Sequence, residues 1–390
     1  MARSVKALIT PKVLKWAREK RIRLDIEFAA ERLKIDPDRL EKWENGKEQP
    51  TFAQLKKIAK LYRTHLTIFY LPTAPKAFPP LNDYRVIPKS KKPDPDQEYN
   101  LKANIVEAHE RRQRLIGIYE LLEQPPPNVS LKVNINASHK IAAKQITKFL
   151  EFERENLPKT NDLYKTLKFW KQTIEAKGIL VCHTSVNTHL SLELETVRGF
   201  CIAQKPFPVI VINQKDRSYG RVFTIIHELV HIALGKSIKQ NTGYSDRRKP
   251  SLNETERFCN TVAGEVLVPE NELLEIIDLK TLKDDIPKLS KHFQVSNEVI
   301  LRRLLILKII PQHKYYAYRK MSLQNYKVPK GDTKIRSFYY KRLLNTSGEY
   351  YARAAFNAYH ENKFTLADLS AAFYNCDTKH LSEIQSEISA

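Results

Sequence analysis

The chain has 390 residues, of which 42% are hydrophobic and 28% are charged. This length is typical of two or three domains and this composition is typical of globular proteins, so a single small scaffold and a wholly disordered chain are excluded. The 66 Lys and Arg residues outnumber the 44 Asp and Glu residues, and the resulting charge of +22 favours an acidic or polyanionic partner without identifying one.

Two further patterns bear on the compartment of the protein. No apolar run reaches the roughly 18 residues that cross a hydrocarbon layer, and the N-terminus lacks the apolar core of a secretory signal. The four cysteines are scattered without CxxC spacing, which argues against a disulfide framework and against a cysteine-ligated zinc site. We therefore expect a cytoplasmic protein that does not contact a membrane. Its oligomeric state does not follow from the sequence.

Helix-start signals recur along residues 1–75. They are Thr10-Pro11, Asp25, Asp36-Pro37 and Pro50-Thr51, and Gly46 provides a stop after the third helix. The apolar residues between these signals recur at helical spacing. Residues 1–75 are thus predicted to form a bundle of four short helices.

A few residues of this bundle carry a family resemblance. Residues 28–62 contain an AAERL segment, the pair Trp43-Glu44, Gly46 and Pro50-Thr51, and they resemble the phage-repressor-type (XRE) helix-turn-helix. In that family the third helix enters the major groove of DNA. The resemblance implies that the side chains facing the bases are Asp38, Arg39, Glu41 and Lys42.

Negative charge on the third helix leaves the role of the bundle open. Asp36, Asp38, Glu41 and Glu44 lie on or beside the helix that would approach DNA, where phosphates would repel them. Specific DNA binding through residues 1–75 is one interpretation. A dimerisation or partner-docking bundle is the other.

Proline and charged residues are concentrated between residues 71 and 102. This composition is typical of an extended connector, so we predict a linker at 76–104. Helical spacing predicts helices at 99–122, 137–150 and 163–177. Short β-like runs at 178–183, 199–203 and 208–213 predict three strands. The expected fold class is α+β, mainly helical, with a small β-sheet and a separate N-terminal helix-turn-helix bundle.

The helix predicted at 221–234 carries the sequence HExxH within an otherwise apolar segment. His227 and His231 are four residues apart, so one helical turn of about 5.4 Å places both imidazoles on one face, with Glu228 beside them. Burying two imidazoles and a carboxylate without partners costs several kcal/mol. A cation bound between the histidines is the simplest way to satisfy them.

Catalytic zinc takes three protein ligands and leaves a fourth position for water, so one more ligand is needed. A helix predicted from residue 254 places Glu256 on a face whose later positions are small or apolar and suited to packing on the HExxH helix. Glu254 and Glu265 lie off that face. Glu256 is the predicted third ligand, and the alternative is that it only complements the positive end of its own helix.

The segments FTIIHELVHIALG and ERFCNTVAGEVLVP together resemble the ImmA/IrrE family of zinc-dependent metallopeptidases, and the resemblance covers residues 84–310. It implies a gluzincin-like site beside the small sheet, with Zn²⁺ or Mn²⁺ on His227, His231 and Glu256. Glu228, which is not a ligand, would then serve as the general base and acid of peptide hydrolysis. Cys259 stands where the family pattern has alanine, a change from one small residue to another.

Other features near this site are less specific. The run at 208–213 either presents an edge that pairs with an extended peptide substrate or is a fully paired interior strand. His183 and His189 match no ligand spacing, so we expect no second metal site there. The candidates for stabilising an oxyanion are Tyr244, His292, His313, Tyr315 and Tyr316.

Two helical segments follow the metallopeptidase-like pattern. Residues 289–306 predict a second helix-turn-helix, for which we favour packing or substrate docking over DNA readout. Residues 311–390 predict further amphipathic helices, in which five tyrosines at helical spacing are expected to belong to the core. The predicted domains are therefore 1–75, 105–310 for the metallopeptidase and 311–390 for a C-terminal helical region.

These patterns together favour a regulatory metallopeptidase that cleaves a partner protein. By the ImmA/IrrE resemblance, the partner is a transcriptional repressor, and its cleavage relieves repression in a stress, phage or mobile-element programme. One alternative is a transcription regulator that binds DNA and uses its peptidase-like domain as a sensor. Another is one component of a toxin–antitoxin or phage-defence pair.

Overall fold

The computed structural model describes residues 5–75, 94–160, 162–185, 190–194, 196–216, 218–235, 254–277, 282–324 and 338–389. The secondary structure of these residues is mainly helical, with three short strands in one sheet. The predicted fold class, a mainly helical α+β protein with an N-terminal helix-turn-helix, is confirmed. None of the helices in these ranges combines the length and the apolar character that a membrane span requires.

The N-terminal bundle begins with α1 (Pro11–Trp16), which continues as a π-helix over Ala17–Ile22. It goes on with α2 (Ile26–Leu33), α3 (Pro37–Glu44) and α4 (Phe52–Leu61). Two of the predicted start signals act as caps. Asp36 accepts the N–H of Asp38 before α3, and Thr51 forms a capping box with Gln54 before α4.

A buried ion pair between Arg18 and Glu44 ties the first helix of the bundle to α3. Nε and Nη2 of Arg18 each donate to a carboxylate oxygen of Glu44 at 2.8 Å. The two side chains are 8% and 2% exposed. Because Glu44 is buried and paired in this way, it is not one of the carboxylates that DNA would meet.

A 27-residue helix, α5 (Pro95–Leu121), follows the bundle. Asp94 caps it and Pro95 takes its first position, as the Asp-Pro pair does before α3. The helix predicted at 99–122 therefore starts earlier, at Pro95, and residues 95–104 of the predicted linker are helical. Residues 76–93 of the predicted linker lie outside the described residues.

The contacts of α5 reach in two directions. Toward the N-terminal bundle it makes the pairs Tyr99–Leu61, Glu107–Arg63 and Glu110–Arg21. Toward the sheet, Arg112 donates to the carbonyls of Lys205 and Pro206 at 2.9 and 3.0 Å. A bundle cluster of buried apolar side chains connects all these parts, and it includes Leu14, Trp43, Leu101, Leu180 and Tyr351.

The sheet consists of β1 (Leu180–His183), β2 (Gly199–Ile202) and β3 (Val209–Ile212), in the order β1-β3-β2. The three strands lie where they were predicted. β3 pairs in parallel with β1 and antiparallel with β2. It is therefore the central strand, so of the two interpretations of residues 208–213 the fully paired interior strand is confirmed and the free edge is wrong.

The two faces of the sheet belong to different hydrophobic cores, because successive side chains of a strand point to opposite faces. On β1, Leu180 and Cys182 belong to the bundle cluster. Val181, between them, belongs to a site cluster that also includes Trp170, Ile225, Val262 and Leu301.

Eight helices of the described chain contribute to the site-cluster side of the sheet. They are α6 (His139–Leu150), α7 (Leu163–Glu175), α8 (Ser218–Ala233), α9 (Glu254–Leu267), α10 (Glu270–Ile276), α11 (Leu282–Phe293), α12 (Asn297–Ile306) and α13 (Gln312–Gln324). Most of their apolar side chains fill the site cluster. The C-terminal helices are α14 (Tyr339–Ser347), α15 (Glu349–His360), α16 (Leu366–Ala372) and α17 (Thr378–Ser389), and their apolar side chains fill the bundle cluster.

The same type of turn ends several helices of the described chain, among them the first helices of the pairs α2–α3, α11–α12 and α16–α17. Just after the first helix of each pair lies a residue with a left-handed backbone, at Lys34 (φ 57°), Gln294 (φ 55°) and Tyr374 (φ 62°). The next residue donates its N–H to the carbonyl five residues earlier, in the pairs Ile35–Ala30, Val295–Ser290 and Asn375–Ser370, at 2.9 to 3.1 Å. The second helix-turn-helix predicted at 289–306 is α11–α12, whereas the third pair was not predicted.

Hydrogen bonds fasten the C-terminal helices to β1. The thiol of Cys182 donates to the carbonyl of Ser347 at 3.4 Å. The carboxylate of Glu175 accepts the N–H groups of Val181 and Tyr350 at 3.2 and 3.3 Å. Burial raises the pKa of Glu175 to about 7. Of the five tyrosines expected in this core, Tyr351 is buried, Tyr340, Tyr350 and Tyr359 are partly buried against it, and Tyr339 is 38% exposed.

Candidate metal centre

The helix α8 carries its polar residues into a buried environment. Nearly all of its side chains from Val222 onward are buried between the sheet, α7 and α9. His227, Glu228 and His231 are 0%, 1% and 0% exposed. Because bulk water does not reach these three groups, they need partners inside the protein or in a bound ion.

Three potential ligand side chains, two from α8 and one from α9, lie close together. Nε2 of His227 lies 3.0 Å from Nε2 of His231. The carboxylate oxygens of Glu256 lie 3.5 Å from Nε2 of His227 and 3.3 Å from Nε2 of His231. With bonds of about 2.0–2.1 Å to a tetrahedral Zn²⁺, neighbouring ligand atoms are ~3.3 Å apart. The separation of the two imidazole nitrogens and the distance from each of them to its nearer Glu256 oxygen lie around that value, so this donor set fits a Zn²⁺ ion.

Within the part of the chain that the structure describes, this is the single group of three such side chains that could hold a metal ion. Its third member comes from α9, which packs along α8 and α6. Of the other two glutamates on α9, Glu254 is exposed and Glu265 forms an ion pair with Arg303. The structure thus brings Glu256 to the two histidines and leaves Glu254 and Glu265 elsewhere.

The edge strand β2 passes directly beside Glu228. A Cβ added to Gly199 would lie 2.4 Å from Cγ2 of Thr224, 3.0 Å from the carbonyl oxygen of Val211 and 3.6 Å from Cγ of Glu228. Any larger residue at this position would push β2 away from α8, so glycine is required for the close approach. Sequence analysis did not single out Gly199, and a glycine at the start of a strand was its only signal.

A second residue that sequence analysis undervalued is Cys259. Its Sγ lies 3.4 Å from Nδ1 of His231, and the side chain is 0% exposed. Cys259 follows Glu256 by three residues on α9, which places both on the side of the helix that meets α8. The spacing was visible in the sequence, but a small-for-small replacement gave no reason to expect a contact with a ligand.

The oxyanion candidates that the structure describes have surroundings of their own. The hydroxyl of Tyr315 donates to Glu298 at 2.6 Å, and the ring of His292 lies 4.8 Å from that of Phe293. Tyr316 is 53% exposed and His313 is exposed. Tyr244 lies outside the described residues.

His183 lies in a buried environment near two positive charges. This side chain is buried at the end of β1, and burial lowers its pKa well below the usual value. The positive charges of Lys171 and Arg221 lower the pKa further. His189 lies outside the described residues.

The residues predicted to face DNA are on the surface of the N-terminal bundle. Asp38, Arg39, Glu41 and Lys42 are all exposed on α3. The guanidinium of Arg39 lies 5.6 Å from the ring centroid of Trp43, and the ammonium of Lys42 lies 3.9 Å from a carboxylate oxygen of Glu48. These side chains are accessible to a partner, and two of the four are acidic.

Two family models match the chain. Residues 174–305 match the IrrE N-terminal-like domain, Peptidase_M78, and residues 14–69 match a Helix-turn-helix family, HTH_3. The architecture suspected from the sequence, an ImmA/IrrE-type domain behind an XRE-type helix-turn-helix, is confirmed. The chain therefore carries a metallopeptidase-like domain, and His227, His231 and Glu256 all lie within it. No curated protein and no solved structure matches the chain.

Proposed function

We propose that this protein is a regulatory zinc metallopeptidase that cleaves a partner protein, and that the partner is a transcriptional repressor. The observation that carries the proposal is the set of separations between His227, His231 and Glu256, which suits three ligands of one tetrahedral ion. The cluster lies beside Glu228 on a buried helix, within the residues that match the IrrE N-terminal-like domain.

The side chains divide into a metal-binding set and a proton-transfer group. Nε2 of His227, Nε2 of His231 and a carboxylate oxygen of Glu256 would hold Zn²⁺, or Mn²⁺ in its place. The bound ion would supply Lewis acidity toward a water and a peptide carbonyl. Glu228 would accept the proton of that water at its carboxylate and later donate it to the leaving amine. Because Glu228 is 1% exposed, bulk water does not compete for the proton that it holds.

The sheet offers a way to hold an extended peptide next to Glu228. β2 is at the edge of the described sheet, and Gly199 brings its backbone against Thr224 and Glu228. A peptide that pairs with this edge would receive main-chain hydrogen bonds without strong selection for its side chains. We therefore assign substrate pairing to β2, in place of the central strand β3.

Metal analysis and two variants test the proposed activity. We expect about one Zn²⁺ per chain in the purified protein, and loss of that metal in His227→Ala. We expect Glu228→Gln to keep the metal while cleavage of a peptide library, read by mass spectrometry, falls about 10²- to 10⁴-fold. If Glu228→Gln cleaves at the wild-type rate, this site is not a peptidase centre.

A second candidate function is a DNA-binding regulator whose peptidase-like domain acts as a sensor. The exposure of Arg39 and Lys42 on α3, within the helix-turn-helix match, favours it. Titration of the full chain with operator-like and random DNA at two salt concentrations separates the possibilities. Base readout should leave a sequence preference at the higher salt, whereas an equal loss for all sequences would argue against specific regulation.

A further inference from the structure

The buried thiol of Cys259 contacts the ring of His231 on the side that faces away from the metal cluster. Its Sγ lies 3.4 Å from Nδ1 of His231. Nε2 of the same ring lies 3.0 Å from Nε2 of His227 and 3.3 Å from an oxygen of Glu256. Nε2 of His231 therefore faces the other two potential ligands, and Nδ1 faces the sulfur of Cys259. Cys259 and His231 are both 0% exposed, so bulk water does not replace this contact.

Proton placement on the ring decides what this contact does. A neutral imidazole carries its proton on one nitrogen and a lone pair on the other. If Nε2 of His231 gives its lone pair to a metal, Nδ1 must carry the proton. The sulfur of Cys259 is then at hydrogen-bonding distance from a buried N–H that needs an acceptor.

We propose that Cys259 is a positioning residue of the metal centre. Its sulfur accepts the Nδ1–H of His231 and thereby holds the tautomer and the ring orientation that point Nε2 at the ion. Groups that accept the second N–H of a ligating histidine fix its orientation and raise its basicity, which is the role assigned here to a thiol. The inference rests on the proposed function, because it requires that the cluster binds a metal.

The geometry favours this role over direct ligation by sulfur. The atoms that converge as a possible metal site belong to His227, His231 and Glu256, and Cys259 is not among them. Its sulfur meets the ring at Nδ1, whereas the other two ligand side chains meet it at Nε2. A positioning role therefore needs no movement of the His231 ring, whereas ligation by sulfur would.

Zinc affinity measured on the full chain tests the proposal. Apparent dissociation constants would be obtained by competition with a chromophoric chelator for the wild type, Cys259→Ala, Cys259→Ser and Cys201→Ala. Cys201 is a matched control, because it is also buried in the site cluster. We expect Cys259→Ala to bind Zn²⁺ about 10-fold more weakly, since loss of such a partner costs 10- to 100-fold in metal affinity. Cys259→Ser restores an acceptor and should recover most of the affinity, and Cys201→Ala should match the wild type.

Two further measurements separate positioning from other roles. Thermal unfolding of the metal-free proteins should be similar for Cys259→Ala and Cys259→Ser, so that rescue by serine reports the hydrogen bond and not packing. The Co²⁺-substituted wild type should lack a thiolate-to-cobalt charge-transfer band, and the presence of that band would replace positioning by ligation.

The outcomes distinguish this inference from the function on which it rests. If the wild type binds no Zn²⁺, the proposed function fails and the role of Cys259 fails with it. If the wild type binds Zn²⁺ and Cys259→Ala binds it equally well, only the role of Cys259 is wrong. An equal loss in Cys259→Ala and Cys259→Ser would also overturn it, because the hydroxyl should substitute for the thiol.

Discussion

The helix pairs α2–α3 and α11–α12 have the same turn, with a left-handed residue at Lys34 or Gln294 and the same N–H to carbonyl closure after it. The outer faces of their second helices nevertheless differ in burial. In α3, Glu41 is exposed, whereas Leu301 at the matching position of α12 is 1% exposed and belongs to the site cluster. The turn chemistry specifies a local geometry, and the outer face of the second helix decides whether that geometry can meet DNA.

Both pairs bury an arginine ion pair as well. Arg18 pairs with Glu44 at the end of α3, and Arg303 of α12 pairs with Glu265 of α9. The ion pair Arg18–Glu44 stabilises the N-terminal bundle, in which the outer face of α3 is exposed. The ion pair Arg303–Glu265 connects α12 to α9, the helix that carries Glu256. The same local motif therefore serves a surface in one region and the support of the candidate metal centre in the other.

The largest expected effect on stability comes from breaking the buried ion pair Arg18–Glu44 of the N-terminal bundle. Arg18→Ala should lower the free energy of unfolding of the N-terminal bundle by about 3–5 kcal/mol, because it leaves Glu44 buried without its charge partner. Urea unfolding followed by circular dichroism measures the change. The pair Arg18→Met with Glu44→Leu should recover most of the loss, and a loss well under 1 kcal/mol in Arg18→Ala would contradict the assignment.

Matched truncations at positions 41 and 301 test the contrast in burial. Leu301→Ala should cost about 2–5 kcal/mol of unfolding free energy, because it removes a buried side chain from a packed core. Glu41→Ala, at the same place in an exposed helix, should change stability by less than about 0.5 kcal/mol. Similar values for the two variants, measured by urea unfolding, would remove the basis of the comparison.

Glu175, the last residue of α7, adds a pH-dependent attachment to the comparison. Its carboxylate accepts N–H groups of β1 and α15, and burial raises its pKa from 4.5 to about 7. The folded state therefore holds the proton more tightly than the unfolded state, and stability is fully present below pH ~4.5 and decreases as the pH rises through 7. The decrease should amount to at most about 3 kcal/mol.

Glu175→Gln should flatten this pH dependence, because the amide does not titrate. Urea unfolding at pH 5 and pH 8 for both proteins provides the measurement. The wild type should lose more stability than Glu175→Gln between the two values. Equal slopes in the two proteins would show that Glu175 titrates normally in the folded state.

The smallest expected effect concerns DNA. Lys42→Ala should weaken DNA binding only a few-fold and reduce the salt slope by about 1, as loss of one phosphate contact does. Arg302 occupies the matching position of α12, and Arg302→Ala should leave DNA binding unchanged although that side chain is 46% exposed. A fluorescence anisotropy titration at several salt concentrations reads both effects, and an equal loss in the two variants would assign DNA binding to general basic charge.

Much of the candidate metal centre could be predicted because its signals are local. The spacing of His227 and His231 and the register of Glu256 on its helix are set by helical geometry, and the structure shows the three side chains together. The contact of Cys259 with His231 joins two helices. Sequence spacing shows only that Cys259 shares a helix face with Glu256, and it does not show which atom of His231 that face meets.

The fold shows the same division between local and long-range information. Three strands could be placed from their composition, but which of them is central depends on pairing between distant segments, so the sequence left β3 open between a free edge and a paired interior strand. The start of α5 was missed although Asp94 and Pro95 carry the signal that located α3. The many prolines and charged residues before Asp94 predicted a linker, and this prediction was preferred to the cap signal of Asp94 and Pro95.

The position of α5 makes the helix-turn-helix bundle and the metallopeptidase-like domain poor subjects for modular exchange. Glu107 is 8% exposed and pairs with Arg63, and Glu110 pairs with Arg21, so both depend on the N-terminal bundle. A shortened chain lacking residues 5–75 would leave the carboxylate of Glu107 without the positive charge of Arg63. It would also expose the apolar side chains of α5 that belong to the bundle cluster. Such fragments should tend to precipitate, and grafting another organism's repressor head onto α5 would require both acidic partners to be rebuilt.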